Sequence, residues 1–116
     1  MNSRVLIIVT GDPRISPRPA EAVRIAAGVG AWKRAEMTVY LREAAVLALG
    51  ETSEDLVNGN DLAQYWPLLV ESGRPIYVQK GAVALRDLGL AAAPFTEISD
   101  AQLAELAAGQ ACVFRF

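Results

Sequence analysis

The sequence predicts one α/β domain over residues 1–116: a doubly wound, mainly parallel five-stranded sheet with helices on both faces. Three observations predict it. The runs "VLIIV", "MTVYL" and "PIYV" read as short strands, and "VLIIV" is a continuous, mostly β-branched run with no polar alternation, the pattern of a strand covered on both faces. Segments with apolar residues at helical spacing alternate with these runs, which calls for parallel strands joined by crossovers. The length, 116 residues with 53% hydrophobic and 21% charged, suits one core.

The elements follow in order. Val5 to Val9 is the first strand. The loop "TGDPRISPRP" comes next, and a helix starts near Pro17 or Pro19, since proline fits a first turn. Ala22, Ile25, Ala26, Val29 and Trp32 line its expected inner face. Gly28 and Gly30 weaken this helix and are expected to permit close packing on the sheet. Met37 to Leu41 is the second strand, and "EAAVLALG" reads as a short helical turn ending at Gly50, with a continued strand as the alternative. "ETSEDLVNGND" is a surface loop. From Asp61, the residues Leu62, Tyr65, Trp66, Leu69 and Val70 form another apolar stripe, with a kink or restart expected at Pro67. "PIYVQ" is the third strand and "AVALRDL" a short helix closed by Gly89. "APFTEI" supplies a short fourth strand. In "ISDAQL", Ser99 is the N-cap, Gln102 completes a capping box, and Ile98 with Leu103 forms a hydrophobic staple. That helix runs to Gly109, and "ACVFRF" is the last strand.

Composition narrows the function. A net charge of −2 gives no reason to expect nucleic acid. The absence of histidine removes the commonest general base and metal ligand. Glu51, Glu54 and Asp55 read as a solvated acidic run rather than a metal site. A single cysteine allows no internal disulfide, which fits a reducing compartment. The apolar run at the start is too short for a signal peptide or a membrane span. A cytoplasmic protein with no membrane association is therefore expected. No GxxxxGK[ST] or GxGxxG is present, so no nucleotide or other cofactor is expected. The apolar fraction points to a homo-oligomer, with Trp32, Tyr65 and Trp66 as core or subunit-contact residues.

Ligands of open α/β sheets bind beyond the carboxyl ends of the strands. The segments that reach that edge supply Thr10, Asp12, Arg14, Arg18, Arg42, Glu43, Gln79, Lys80 and Gly81. Of these, Thr10, Asp12, Arg14, Arg18, Gln79, Lys80 and Gly81 are the candidate ligand-binding set. Arg14, Arg18 and Lys80 could hold a small anion. As loop residues, their default state is solvated charge. The first and third strands are expected to be neighbours, which would bring Thr10, Asp12 and Arg14 beside Gln79-Lys80-Gly81. Cys112 reads as a small buried hydrophobe at the amino end of its strand, in preference to a reactive thiol.

The pieces "VLIIVTGDP", "MTVYLREAAVLALG", "LLVESGRPIYVQKGAVALRDLGL" and "EISDAQLAELAAGQACVFRF" together resemble the DsrE/DsrF-like family, which includes the sulfur-relay subunits of the TusBCD type. The resemblance spans nearly the whole chain. It implies the same α/β fold, and assembly with copies of itself or with related subunits in a homo- or hetero-oligomer. In members that carry sulfur, a cysteine after the third strand holds it as a persulfide. Here that place falls at or near Gln79, and a second family cysteine would fall near Ala82; neither is a cysteine. The resemblance therefore implies a non-catalytic relative, with sulfur transfer through Cys112 or small-molecule binding as the alternatives. A cysteine placed at position 79 is expected to gain a lowered pKa from Lys80 and the helix that follows.

Overall fold

A computed structural model describes residues 3–31, 35–50 and 55–116. Five strands form one sheet in the order β4-β3-β2-β1-β5: β1 (Ser3–Val9), β2 (Ala35–Leu41), β3 (Ile76–Gln79), β4 (Thr96–Ile98) and β5 (Cys112–Arg115). Every pairing is parallel. The expected α/β class and strand count are met. One expectation fails: β1 and β3 are not neighbours, because β2 lies between them. The chain steps outward from β1 to β4, then α3 carries it back across to the far side of β1.

The two faces of the sheet are covered unequally. Val5, Ile7, Val9, Met37, Val39, Leu41, Ile76 and Val78 share one face and belong to the main core. α1 (Arg18–Ala31) and α2 (Gly59–Glu71) cover that face, together with a 3-10 helix over Glu43–Leu49. A second, small core of Leu6, Tyr40 and Ile98 lies on the opposite face, with Leu103, Leu106 and Ala107 of α3 (Asp100–Ala108) packed against it. No residue of α3 is fully buried.

α1 begins at Arg18, with Pro19 in its first turn as expected. Its inner face is rotated from the expected one. Ala20, Ala22, Val23, Ala26 and Ala27 are buried, whereas Ile25 is only half-buried and Val29 is exposed. Packing against α2 as well as the sheet widens the buried arc towards Val23 and Ala27. Trp32 lies outside the described residues, as do Glu51 and Glu54. Gly28 is not a close-packing site, since a Cβ there would meet nothing within 4 Å.

"EAAVLAL" is longer and tighter than expected, a seven-residue 3-10 helix from Glu43 to Leu49. Runs of this kind rarely exceed three or four residues. This one is held by burial of Ala45, Val46, Ala48 and Leu49. α2 is continuous through Pro67, without a restart. Pro67 and Ala63 are both exposed, so the carbonyl that proline leaves without its N–H partner faces water. Trp66 is fully buried, and its indole N–H donates to Ala48 O at 2.8 Å, which ties α2 to the 3-10 helix. It is a core residue. Tyr65 is half-buried against the same core.

The capping box of α3 is present. Gln102 N–H donates to Ser99 Oγ at 3.2 Å, and Ser99 N–H donates to Gln102 Oε1 at 2.8 Å. Ile98 and Leu103 meet in the small core, as the staple requires. Arg42, at the end of β2, adds a second anchor: its Nη1 donates to Asp100 Oδ1 at 2.9 Å and to the buried Tyr40 hydroxyl at 3.2 Å. Burial raises the Tyr40 pKa, an effect partly offset by the Arg42 charge.

Candidate functional site

β3 ends at Gln79, and Gly81 follows with φ 75. Glycine suits that left-handed turn because it has no Cβ to clash. The chain then enters a 3-10 helix over Val83–Arg86 that packs against the α1/α2 side of the sheet. The turn leaves a pocket of about 400 Å³ at the carboxyl edge. Arg14, Glu43, Gln79 and Asp87 supply its polar groups, and Leu47 and Val83 are the largest of its apolar ones.

Gln79 does not hang free in this pocket. Its Oε1 accepts the backbone N–H of Glu43 at 3.0 Å. The bond ties the end of β3 to the start of the 3-10 helix that follows β2. Glu43 itself has φ 55, a left-handed conformation that costs an L-residue about 1–2 kcal/mol. The side chain of residue 79 thus holds a strained backbone position in the pocket wall.

Arg14 reaches the pocket from the loop after β1, but its charge is already engaged. Its Nε donates to Asp12 Oδ1 at 3.0 Å and its Nη2 to Asp12 Oδ2 at 2.8 Å, a two-pronged pair. The backbone N–H of Arg14 donates to the same carboxylate at 2.9 Å. These bonds hold the Asp12 carboxyl below the ordinary aspartate range and raise the Arg14 guanidinium. Among the described residues, neither Glu43 nor Asp87 has an ion-pair partner within 4.0 Å. The charge facing the pocket is therefore predominantly negative.

The expected set is only partly brought together. Arg14, Gln79 and Gly81 line the pocket. Thr10 and Asp12 do not. Thr10 N–H donates to Phe116 O at 3.1 Å, on the β5 side of β1, because β2 separates β1 from β3. Arg18 turns the same way: its Nη2 donates to Arg115 O at 3.4 Å and its guanidinium stands 5.5 Å from the Phe116 ring centre. Lys80 is exposed and outside the lining; its backbone N–H donates to Ile98 O at 2.9 Å. Two expectations about position 79 thus lose their basis. Lys80 does not face the pocket, and the helix after Gly81 has only four residues. Glu43 was expected at this edge but not in the ligand-binding set, and Leu47 and Asp87 were not expected at all. Their signal would have been the β3-β2 adjacency, which local sequence does not carry.

Cys112 is exposed, contrary to the buried thiol expected. It opens β5, pairs with Val5 near the start of β1 and lies away from the carboxyl edge. Alternation assigns it to the main-core face, but α1 lies over β1 and β2 and leaves β5 uncovered.

Among the described residues, no group of three or more His, Cys, Asp or Glu side chains is placed to hold a metal ion, and no helix is long and apolar enough to cross a membrane. No protein-family model matches the chain, and no curated protein matches it. Solved structures do. The ychN protein from E. coli superposes with a TM-score of 0.78 at 19% identity over 100% of both chains. BT1422, a conserved protein of unknown function from Bacteroides thetaiotaomicron, gives a TM-score of 0.55 at 17% identity, over 98% of this chain and 95% of that one. At these identities the likeness is one of fold: a five-stranded parallel α/β sheet shared along the whole chain.

Proposed function

We propose that the chain is a non-catalytic protein of the DsrE/DsrF-like type, an oligomeric subunit or accessory of a sulfur-relay system. The observation that carries this reading is the occupant of position 79. Where the resemblance places a sulfur-carrying thiol, an amide is built into the pocket wall through its bond to Glu43 N–H. No cysteine lines the pocket. Its two carboxylates, Glu43 and Asp87, have no ion-pair partner within 4.0 Å among the described residues and would also oppose a thiolate.

The test is sulfur transfer. The protein is incubated with inorganic polysulfide and a small thiol acceptor, and adducts are located by peptide mass spectrometry. The expected result is no adduct on the pocket peptides and no acceleration of transfer over the uncatalysed rate. The exposure of Cys112 favours one rival, a sulfurtransferase using that thiol. Acceleration by the wild type that Cys112→Ser abolishes would establish the rival and overturn the non-catalytic reading.

A second reading, small-molecule binding without chemistry, rests on the pocket itself. Its charges favour a neutral or cationic occupant over an anion, because the Arg14 charge is matched by Asp12. A thermal-shift series of sulfate, phosphate and primary amines separates these. Stabilisation by amines alone supports the reading, and stabilisation by anions alone contradicts the charge argument.

A further inference from the structure

β5 forms one edge of the sheet and, among the described residues, pairs only with β1. All four of its residues are exposed, Val113 to 42% and Phe114 to 53%. In a parallel pair, alternate residues direct both backbone groups towards the neighbour. Phe116 does so here: its N–H donates to Ile8 O at 2.8 Å and its C=O accepts from Thr10 N–H at 3.1 Å. By alternation Cys112 and Phe114 also turn to β1, and Val113 and Arg115 turn outward. The position of Arg18 agrees, since its Nη2 meets Arg115 O from outside the sheet.

Exposed edges are ordinarily blunted by lysine, proline, a bulge or a covering element. Here Arg18 blunts one end only. Among the described residues, nothing covers the outward N–H and C=O of Val113. The opposite edge, β4, has only three residues and offers a shorter template.

We propose that β5 is a self-association edge. Two copies of the chain pair through it antiparallel, about a two-fold axis at Val113, and their sheets become one. The proposal rests on the oligomeric reading above and names its interface. The register follows from the backbone groups that are open. In an antiparallel pair, directly opposed residues alternate between pairs that exchange both hydrogen bonds and pairs that exchange none, and only outward-turned residues can form the first kind. With the axis at Val113, the two Val113 residues do this with groups that have no other partner among the described residues. With the axis at Phe114, Val113 N–H would need the second copy's Arg115 O, which Arg18 already occupies.

The side chains agree with the same register. It sets Cys112 of each copy opposite Phe114 of the other, at the non-hydrogen-bonded spacing of about 4.5 Å between Cα atoms. Two apolar side chains that α1 leaves uncovered then cover each other, twice. An unrelated strand would have to supply this pattern, whereas a second copy supplies it by symmetry. A net charge of −2 puts little repulsion between copies.

Light scattering after gel filtration tests this on the wild type and on Val113→Pro. Proline at an outward-facing edge position removes the open N–H and spares the ladder to β1. The expected result is a dimer or a multiple of it in the wild type, and half that mass in Val113→Pro with the thermal midpoint retained. Cross-linking fixes the register independently, in a Cys112→Ser background oxidised with diamide. Val113→Cys should link in high yield, because opposed hydrogen-bonded residues stand about 5.5 Å apart, within disulfide reach. Phe114→Cys should not, because the two copies of that residue are offset by about 8 Å. A wild-type monomer overturns both the interface and the oligomeric reading. An assembly that Val113→Pro leaves unchanged and Val113→Cys does not link overturns the β5 interface alone. Linking through Phe114→Cys in place of Val113→Cys overturns the register.

Discussion

A thiol introduced at position 79 reports the electrostatics of the pocket directly. In Gln79→Cys the Sγ atom stops two bonds short of where Oε1 now sits. The 3.0 Å bond from Glu43 N–H is therefore lost and cannot stabilise a thiolate. What remains is charge. A sphere of about 400 Å³ is about 9 Å across. At that separation one carboxylate opposes a thiolate by about 0.5 kcal/mol in bulk water and about 2 kcal/mol at an effective dielectric of 20. Glu43 and Asp87 act together, and the pocket is open to water, so the low end of the range applies, about 1–2 kcal/mol in sum. The Asp12–Arg14 pair contributes little, being neutral overall. Since 1.4 kcal/mol is a factor of ten, the variant should hold roughly a tenth of the thiolate of free cysteine at pH 7. The assay is the rate of alkylation by iodoacetamide against pH, with N-acetylcysteine as reference. Alkylation about tenfold slower than the reference is expected, with most of the difference lost in 1 M salt, where the screening length falls to about 3 Å. Alkylation faster than the reference would refute the reasoning, because it would mean that the pocket still favours an anion.

Three further outcomes follow from the geometry. Trp66→Phe leaves the buried Ala48 carbonyl without its 2.8 Å donor, so stability should fall by about 2–4 kcal/mol and the melting midpoint by roughly 10 °C, read by circular dichroism. Glu43→Gly relieves about 1–2 kcal/mol of left-handed strain against a glycine entropy cost of about 0.5–1 kcal/mol, so urea unfolding should show a gain of about 0.5–1 kcal/mol; a loss would contradict φ 55 at this residue. The Asp12 carboxyl is held low mainly by the Arg14 side chain, so its contribution to stability is complete above the unfolded aspartate pKa and disappears as pH falls through the lower folded value. A carboxyl titration by NMR should place Asp12 below the ordinary range in the wild type and back within it in Arg14→Gln.

Local patterns in the sequence were legible where the physics is local. The β-branched runs gave the strands, and Ser99 with Gln102 gave a cap whose partners are three residues apart. The strand order was not legible, because nothing in "VLIIV" or "PIYV" states which strand lies beside it. That single gap displaced Thr10 and Asp12 from the pocket, left Glu43 as an edge residue without a role, and hid Asp87. Cys112 shows a second limit. Alternation assigns a face to each residue of β5, but whether a helix covers that face depends on where α1 comes to rest. The left-handed backbone at Glu43 left no trace in composition either, since the glycine that usually marks such a turn is absent there.

The thin anchoring of α3 has a consequence for how the molecule opens. Its attachment is a cap, the Arg42–Asp100 pair and a few half-buried side chains on a three-residue core. The free energy needed to lift such a unit is a fraction of that for unfolding the whole chain. Amide protons of α3 should therefore exchange through a partial opening, while those of β1 and β2 exchange only when everything unfolds. β5 follows α3 with only a short turn between them, so an opening that frees the helix slackens the strand as well. The carboxyl-terminal segment from Ser99 onward then behaves as a separable leaf, and proteolysis under native conditions should begin there.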